Sequence, residues 1–126
     1  MARHLISSGS PYEATVGFSR AVVDGPWCFV SGSVGFDEHA NLPEGVEEQT
    51  RNALATIEKA LEEAGFAFED VVRCHYYITD RSYAARVMPI LGAVFGDIRP
   101  AATLLVVAGL IDARMKVEVE VTAYRG

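Results

Sequence analysis

The last strand-forming segment of the chain alternates without exception between apolar and polar residues. From Lys116 to Thr122 the odd positions are valine and the even positions are polar. This period of two is typical of a β-strand with one buried face. Glu118 and Glu120 therefore lie on the same side of the strand, about 7 Å apart along it. A fold for this chain must bury the valines and accommodate two neighbouring carboxylates on the opposite side.

A second strand is predicted just before this one, after Pro100. The run from Thr103 to Val107 consists of β-branched residues and leucines, which suits a strand buried on both faces. Pro100 disfavours the helical region for the residue before it, so we expect Arg99 to be extended and the preceding helix to have ended. The C-terminal quarter of the chain is thus predicted to supply two strands to a sheet.

The remaining pattern predicts the order β-β-β-α-β-α-β-β. Apolar residues recur at helical spacing from about Gly45 to Ala64, and Gly65 is the expected C-terminal stop. Asp70 to Thr79 alternates as a strand. The turn Asp24-Gly25-Pro26 leads into Trp27–Gly32, which indicates a hairpin.

Two places interrupt these patterns. Pro89 lies inside the second helical segment, so we expect that helix to be distorted, brief or locally broken. Gly32 and Gly35 interrupt a strand, which usually marks a bulge, a bend or a group that approaches the backbone closely. Periodicity alone does not choose between a bulge for sheet curvature and a functional approach at Gly32.

These elements predict an α+β fold in a single domain spanning residues 1–126. Its centre is a single mixed β-sheet of about six strands, and right-handed crossovers place both helices on one face. The opposite face carries valines and aromatic residues beside carboxylates, too apolar for water and too polar for a dry core. We therefore expect the chain to associate through that face.

The charge and the hydropathy of the chain argue against nucleic-acid and membrane partners. The chain has a net charge of −6 and no basic run, which argues against a nucleic-acid partner. No apolar segment approaches the roughly 20 residues that cross a bilayer, and the first residues do not resemble a secretory signal, so we expect a cytoplasmic protein without a membrane partner. Cys28 and Cys74 fall within apolar strand patterns and are expected to be buried, reduced thiols.

No residue pattern predicts a metal or a cofactor. His75 is the one histidine within a strand, and no metal-ligand spacing surrounds it, so a packed or interface histidine is the simpler interpretation. The serines near the N-terminus belong to a turn rather than to a nucleophile elbow. The segment Gly32–Gly35 neither opens a helix nor carries a lysine, unlike a phosphate-binding loop.

Four segments together resemble the Rid (YjgF-like) family of reactive-intermediate deaminases. They are Gly17–Arg20, Phe29–Gly32, Arg99–Thr103 and Val117–Ala123, in the order of the family and over nearly the whole chain. The resemblance implies a chorismate-mutase-like (YjgF-like) fold. It also implies a homotrimer whose sheets pack around a central axis, with a small-molecule cleft between each pair of neighbouring subunits.

The resemblance places Phe18, Gly32, Thr103, Leu104 and Glu120 in that cleft. Glu120 matches the glutamate that positions the attacking water in family deaminases, a role that suits a carboxylate because it accepts the water's proton. The alternative for Glu120 is an interface ion pair with an arginine such as Arg73 or Arg20. Phe18 stands where many relatives have tyrosine, so it lines a pocket without donating a hydrogen bond.

One departure from the family pattern bears directly on the substrate. The arginine that holds the substrate carboxylate in the deaminases is Ala102 here, and the residue that is often cysteine is Leu104. Arg99 lies three positions before Ala102, so an extended strand would point it to the opposite face. Arg99 remains a candidate substrate-binding residue, because the cleft is shared between chains and a neighbour's arginine could enter it.

Three hypotheses follow. The first is a homotrimeric enzyme that hydrolyses an enamine or imine, or adds water in a related reaction, to a substrate lacking the usual 2-imino carboxylate. The second is a non-catalytic trimer that binds a metabolite or a protein partner, as the apolar Phe18, Ala102 and Leu104 suggest. The third is the endoribonuclease activity attached to some relatives, which conflicts with the acidic balance.

Overall fold

A computed structural model describes residues 3–126 and shows six strands and two long helices. The strands are β1 (His4–Ile6), β2 (Ala21–Asp24), β3 (Trp27–Ser33), β4 (Val71–Ile78), β5 (Ala101–Val106) and β6 (Val117–Tyr124). The helices are α1 (Val46–Ala64) and α2 (Ala84–Phe95). This order confirms the predicted succession of elements. No helix among the described residues is both long and apolar enough to span a membrane.

The strands form one mixed sheet in the order β1-β2-β3-β6-β4-β5. All neighbours are antiparallel except β4 and β5, which are parallel and joined through α2. The last strand, β6, therefore lies between β3 and β4 in the middle of the sheet. Its central position explains why its valine face is fully covered while its polar face lies at the centre of the opposite surface.

Both helices pack on one face of the sheet, as predicted. Ala53, Ile57 and Leu61 of α1 meet Val119 and Val121 of β6, and each of these side chains is at most 3% exposed. Gly65 ends α1 at a φ of 84° and donates its backbone N–H to Leu61 and Glu62. The glycine stop is therefore confirmed, because this left-handed conformation suits a residue without a Cβ.

A buried amide links α1 to the loop before β6. The Gln49 Nε2 atom donates to the carbonyls of Pro43 and Arg114, at 2.8 and 3.0 Å. The Gln49 Oε1 atom accepts from the backbone N–H of Lys116 at 2.8 Å. Gly35 lies so close to the backbone of Gln49 that a Cβ at this position would collide with the Gln49 Cα. The glycine therefore allows the chain leaving β3 to pass directly against α1.

Three local predictions are wrong. Arg99 is not extended: its φ is 60°, and its N–H donates to the carbonyl of Phe95 as part of the turn that ends α2. Pro100 disfavours the right-handed helical region for the residue before it, and Arg99 adopts the left-handed region rather than the extended one. The strand β5 is not buried on both faces, because it is an edge strand whose residues are exposed apart from Leu104.

The prediction of a local break in α2 is also wrong, because α2 continues across Pro89. Pro89 and Ala85 are both exposed. Proline removes the donor that would have bonded the carbonyl of Ala85. Water can hydrogen-bond that carbonyl, so the helix continues through the proline.

Among residues 3–126, no element covers the face of the sheet opposite the helices. We call this surface the open face; it comprises the outward-facing side chains of the six strands. Its large apolar residues are 40 to 58% exposed: Leu5, Trp27, Phe29, Leu105 and Tyr124. Trp27 packs edge-on against Tyr124 with a centroid distance of 4.6 Å. The open face is therefore as apolar as the pattern predicted.

Candidate functional site

The polar residues of the open face form a row across three strands. Thr103 of β5 pairs with His75 of β4, and His75 pairs with Glu120 of β6. Residues paired across neighbouring strands project from the same face with their Cβ atoms about 5 Å apart. The row brings two residues of the predicted site, Thr103 and Glu120, to the same region.

The Glu120 carboxylate has two neighbours at one of its oxygens. The Tyr77 hydroxyl donates to Glu120 Oε1 at 2.5 Å. The His75 Nδ1 atom lies 3.4 Å from the same oxygen. The hydrogen bond to Glu120, with lesser contributions from burial and the nearby carboxylates, raises the pKa of Tyr77 to about 12. Tyr77 therefore remains a hydrogen-bond donor at neutral pH.

Glu118 lies two residues before Glu120 on β6 and is more buried. Burial, and then the charge of Glu120, raise the pKa of the Glu118 carboxyl, and the Arg20 guanidinium partly offsets them. Glu118 lies directly against Gly32, where a Cβ would overlap the carboxyl group. The two carboxylates thus differ in setting: Glu118 is packed against backbone, whereas the Glu120 side chain is 38% exposed.

Arg20, in the loop before β2, contacts the part of the site that Gly32 and Glu118 form. Its guanidinium donates from an Nη atom to the carbonyl of Gly32 at 2.8 Å and lies 5.6 Å from the centre of the Phe18 ring. Burial lowers the pKa of Arg20, while Glu13 and Glu118 act in the opposite direction. Its buried Nε atom has no hydrogen-bond partner among residues 3–126.

The close approach at Gly32 depends on a bulge in β3. The pairing of β3 with β6 shifts register between Val30 and Ser33. Ser31 stabilises the bulge, donating its hydroxyl to the carbonyl of Ser19 at 2.6 Å and its N–H to the carbonyl of Arg20 at 2.9 Å. The bulge and the close approach of a group to the Gly32 backbone are both confirmed, and a functional role of that approach stays a prediction.

The predicted site residues separate into two groups. Phe18, Gly32, Thr103 and Glu120 belong to the open face or its margin. Leu104 pairs with Tyr76 on the helix side of the sheet, where it packs against the core. Arg99 is also on the helix side: with Tyr76, Phe95 and Ala102 among its neighbours, it lines a groove of about 360 Å³ between the end of α2 and β5. One chain alone does not bring the two groups together.

Sequence reasoning missed Tyr77 and assigned His75 no role in the site. The alternation of β4 does put both on one face, together with Arg73, but only the register shows that they meet Glu120. The alternative for Glu120, an interface ion pair with Arg73 or Arg20, would join two chains and stays a prediction. Among residues 3–126, no ion pair joins Glu120 to Arg73 or Arg20, and Arg20 lies beside Glu118 and Gly32 instead.

Comparison with known proteins places this architecture in a family. The family described as endoribonuclease L-PSP matches residues 9–125. An uncharacterized protein of Streptomyces coelicolor is 39% identical over 122 residues, covering 96% of this chain and 91% of that protein. A RutC family protein of Pyrococcus abyssi is 29% identical over 127 residues, covering 99% of each.

A crystal structure gives the same result for the fold. Rv2704 of Mycobacterium tuberculosis, described as a member of the YjgF/YER057c/UK114 family, matches with a TM-score of 0.90 and 41% identity. The match covers 98% of this chain and 99% of Rv2704. The mixed sheet with two helices on one face is thus that of the YjgF-like class of proteins. The chain belongs to the endoribonuclease L-PSP family, which includes the YjgF and Rid proteins.

Proposed function

We propose that the protein is a homotrimer that hydrolyses an enamine or imine, or adds water in a related reaction, at clefts between its subunits. The observation that carries this proposal is the Glu120 carboxylate. It is partly exposed on a face that also carries large apolar side chains, held at one oxygen and close to the bulge at Gly32. A carboxylate in such a position suits the activation of a water molecule.

The proposed chemistry needs one base and one water molecule. Glu120 accepts a proton from water as the water oxygen bonds to the imine carbon, and it passes this proton to the imine nitrogen to give the carbinolamine. Glu120 then accepts the hydroxyl proton of the carbinolamine as the C=O bond forms, and it gives this proton to the nitrogen as the C–N bond breaks. The products are a carbonyl compound and ammonia, and Glu120 is again a carboxylate.

The division of the site residues supports a shared cleft. In one chain, Glu120 faces away from the groove that Arg99 and Ala102 line. The apolar residues of the open face are also too exposed for a stable surface in water. Association of three chains would bury this face. It would also bring the groove beside Arg99 of one subunit close to Glu120 of the next. The substrate-binding residues of the proposal are Phe18, Gly32, Thr103, Leu104 and Arg99.

The proposed substrate differs from that of the Rid deaminases. Ala102 supplies no guanidinium, and Arg20 is already engaged with Gly32 and lies near Glu118. A carboxylate therefore meets no guanidinium at position 102 and no free guanidinium from Arg20, whereas Arg73 is exposed on the same face of β4 as His75. We accordingly propose a substrate without the usual 2-imino carboxylate, unless Arg73 or a neighbour's Arg99 takes the role of anchor.

The test is a comparison of wild type with Glu120→Gln. Imines are generated in the assay by an amino-acid oxidase or an amine oxidase, and their loss is followed by trapping with semicarbazide. We expect Glu120→Gln to abolish the protein-dependent rate while light scattering gives an unchanged assembly mass. Glu58→Gln, an exposed change on α1, is the matched control and keeps the rate. Equal turnover by wild type and Glu120→Gln would remove the assignment.

A non-catalytic trimer that binds a metabolite or a protein partner is the second candidate. The observation in its favour is the apolar character of three positions, Phe18, Ala102 and Leu104, where the Rid deaminases carry polar or reactive groups. Any protein-dependent imine loss above the buffer rate excludes this candidate. Saturable ligand binding without turnover favours it.

The family description names an endoribonuclease, but the net charge of −6 is unfavourable for RNA binding. RNA cleavage that persists through purification and disappears in Glu120→Gln would support that activity instead. The proposed compartment is the cytoplasm, in keeping with the two free thiols of Cys28 and Cys74.

A further inference from the structure

Two side chains without an assigned role meet the same oxygen of Glu120. Tyr77 and His75 both lie on β4, and their polar atoms approach Oε1 to 2.5 and 3.4 Å. The other oxygen, Oε2, has no hydrogen-bond partner in the part of the chain that the structure describes. One oxygen of the carboxylate is therefore held, and the other is available.

The register of the sheet produces this asymmetry. His75 stands directly opposite Glu120, whereas Tyr77 stands opposite Glu118. The Tyr77 side chain is long enough to cross diagonally, and its hydroxyl bonds Glu120 rather than its direct neighbour. Glu118 is instead packed against Gly32. The tyrosine thus distinguishes between two carboxylates on the same strand.

We propose that Tyr77 and His75 are positioning residues for Glu120, holding Oε1 so that Oε2 is presented to the attacking water. This inference rests on the proposed function, because it concerns the carboxylate that would act as the base. A carboxylate on a strand can rotate about its side-chain torsions. A base that must meet a water molecule in one geometry gains from the loss of that freedom.

A purely structural tie between β4 and β6 is the competing explanation. The two strands are already joined by a backbone ladder from Val71 to Ile78, so the side-chain contact is not needed to pair them. Both side chains also lie on the open face, outside the core that α1 and α2 cover. Replacing them should leave the fold intact, and a loss of rate then reports on Glu120.

The first experiment compares Tyr77→Phe with Tyr124→Phe. Tyr124 lies on the same face and packs on Trp27, away from Glu120. We expect Tyr77→Phe to lower kcat for an oxidase-generated imine at least about tenfold, because the loss of a hydrogen bond to a charged group has an effect of that size. KM should change less than twofold. Tyr124→Phe should match wild type. Light scattering checks the assembly mass of each variant.

His75 is tested with a pair of substitutions. His75→Phe removes the nitrogen beside Glu120 and should lower kcat, whereas His75→Asn keeps an amide nitrogen near the position of Nδ1 and should recover part of the rate. A rise in KM without a fall in kcat, in either this pair or Tyr77→Phe, would indicate ligand binding and overturn the positioning role.

A crystal structure of Tyr77→Phe supplies a readout that does not depend on turnover. We expect the Glu120 carboxylate to leave its wild-type rotamer or to occupy two rotamers, and an unchanged single rotamer would overturn the inference. The two failures are distinguishable. If Glu120→Gln is inactive but Tyr77→Phe and His75→Phe keep the wild-type kcat, the positioning role fails alone; if wild type turns over none of the imines, the proposed function and this inference fail together.

Discussion

The two faces of β6 differ in what they contribute to the molecule. On the helix side, Val117, Val119 and Val121 are at most 3% exposed and join the core under α1. On the open face, Glu118 and Glu120 occupy the alternate positions, on a surface whose large apolar side chains no element covers among residues 3–126. One face of β6 thus belongs to the core, and the other is available for the association and chemistry that we propose.

The largest expected effect is that of a charge introduced on the helix side of β6. Val119→Asp places a carboxylate in a site with no exposure, which should cost at least about 4 kcal/mol and remove the cooperative unfolding transition at 25 °C. Circular dichroism with urea titration measures this. A variant that unfolds with the wild-type midpoint would show that the helix side is not the core.

The matching change on the open face should affect assembly instead. Phe29 is 47% exposed in the single chain, so Phe29→Asp should leave the fold intact and convert the proposed trimer into monomers. Light scattering after gel filtration gives the mass. Ala55→Asp, an exposed change on the outer side of α1, is the control and keeps the trimer. A trimeric Phe29→Asp would mean that the open face is not the interface.

Substitutions at two glycines test the same difference between the helix side and the open face. A methyl group at Gly35 would meet the backbone of Gln49, which cannot retreat, so Gly35→Ala should cost about 1 to 3 kcal/mol of unfolding free energy. A methyl group at Gly32 would meet the end of the flexible Glu118 side chain, so Gly32→Ala should cost less than about 1 kcal/mol. Its turnover should nevertheless fall, because the carboxyl group is displaced within the site. Urea titration of both variants would contradict this account if Gly32→Ala were the less stable.

The smallest expected effect concerns the pH dependence of stability. The raised pKa of Glu118, caused first by burial, means that the folded chain binds the proton more tightly than the unfolded chain. Glu118 therefore destabilises the fold as the pH rises from its unfolded pKa through its folded pKa. Glu118→Gln should gain stability relative to wild type at pH 7 and less at pH 4. Glu63→Gln on the exposed side of α1 controls for the loss of a charge, and an equal gain at both pH values would refute the prediction.

Local patterns predicted the elements of the fold, and therefore also which residues share a face. The alternation of β6 placed Glu118 and Glu120 together, because a period of two is a property of one strand. Gly65 is interpretable for a similar reason, because the helix end that requires its positive φ lies within a few residues, whereas the steric demand at Gly32 comes from Glu118 on a distant strand.

The contacts of the site depend on pairing between distant segments, which local patterns do not contain. Tyr77 and Glu120 are 43 positions apart, and only the register of β4 against β6 brings them together. Arg99 was misplaced because proline disfavours one backbone region and leaves two others open. The burial of β5 could not be predicted from its apolar run, because composition does not distinguish a central strand from an edge strand.

The most direct test of a shared cleft is a crystal structure of the assembled protein soaked with a small carboxylate such as pyruvate. We predict three chains around one axis, with Glu120 of each chain facing the groove beside a neighbour's Arg99. In that structure the Glu120 Oε2 atom points into the cleft and Oε1 stays bonded to Tyr77. An assembly in which Glu120 faces bulk solvent, or in which the groove beside Arg99 meets no neighbouring chain, would contradict the account.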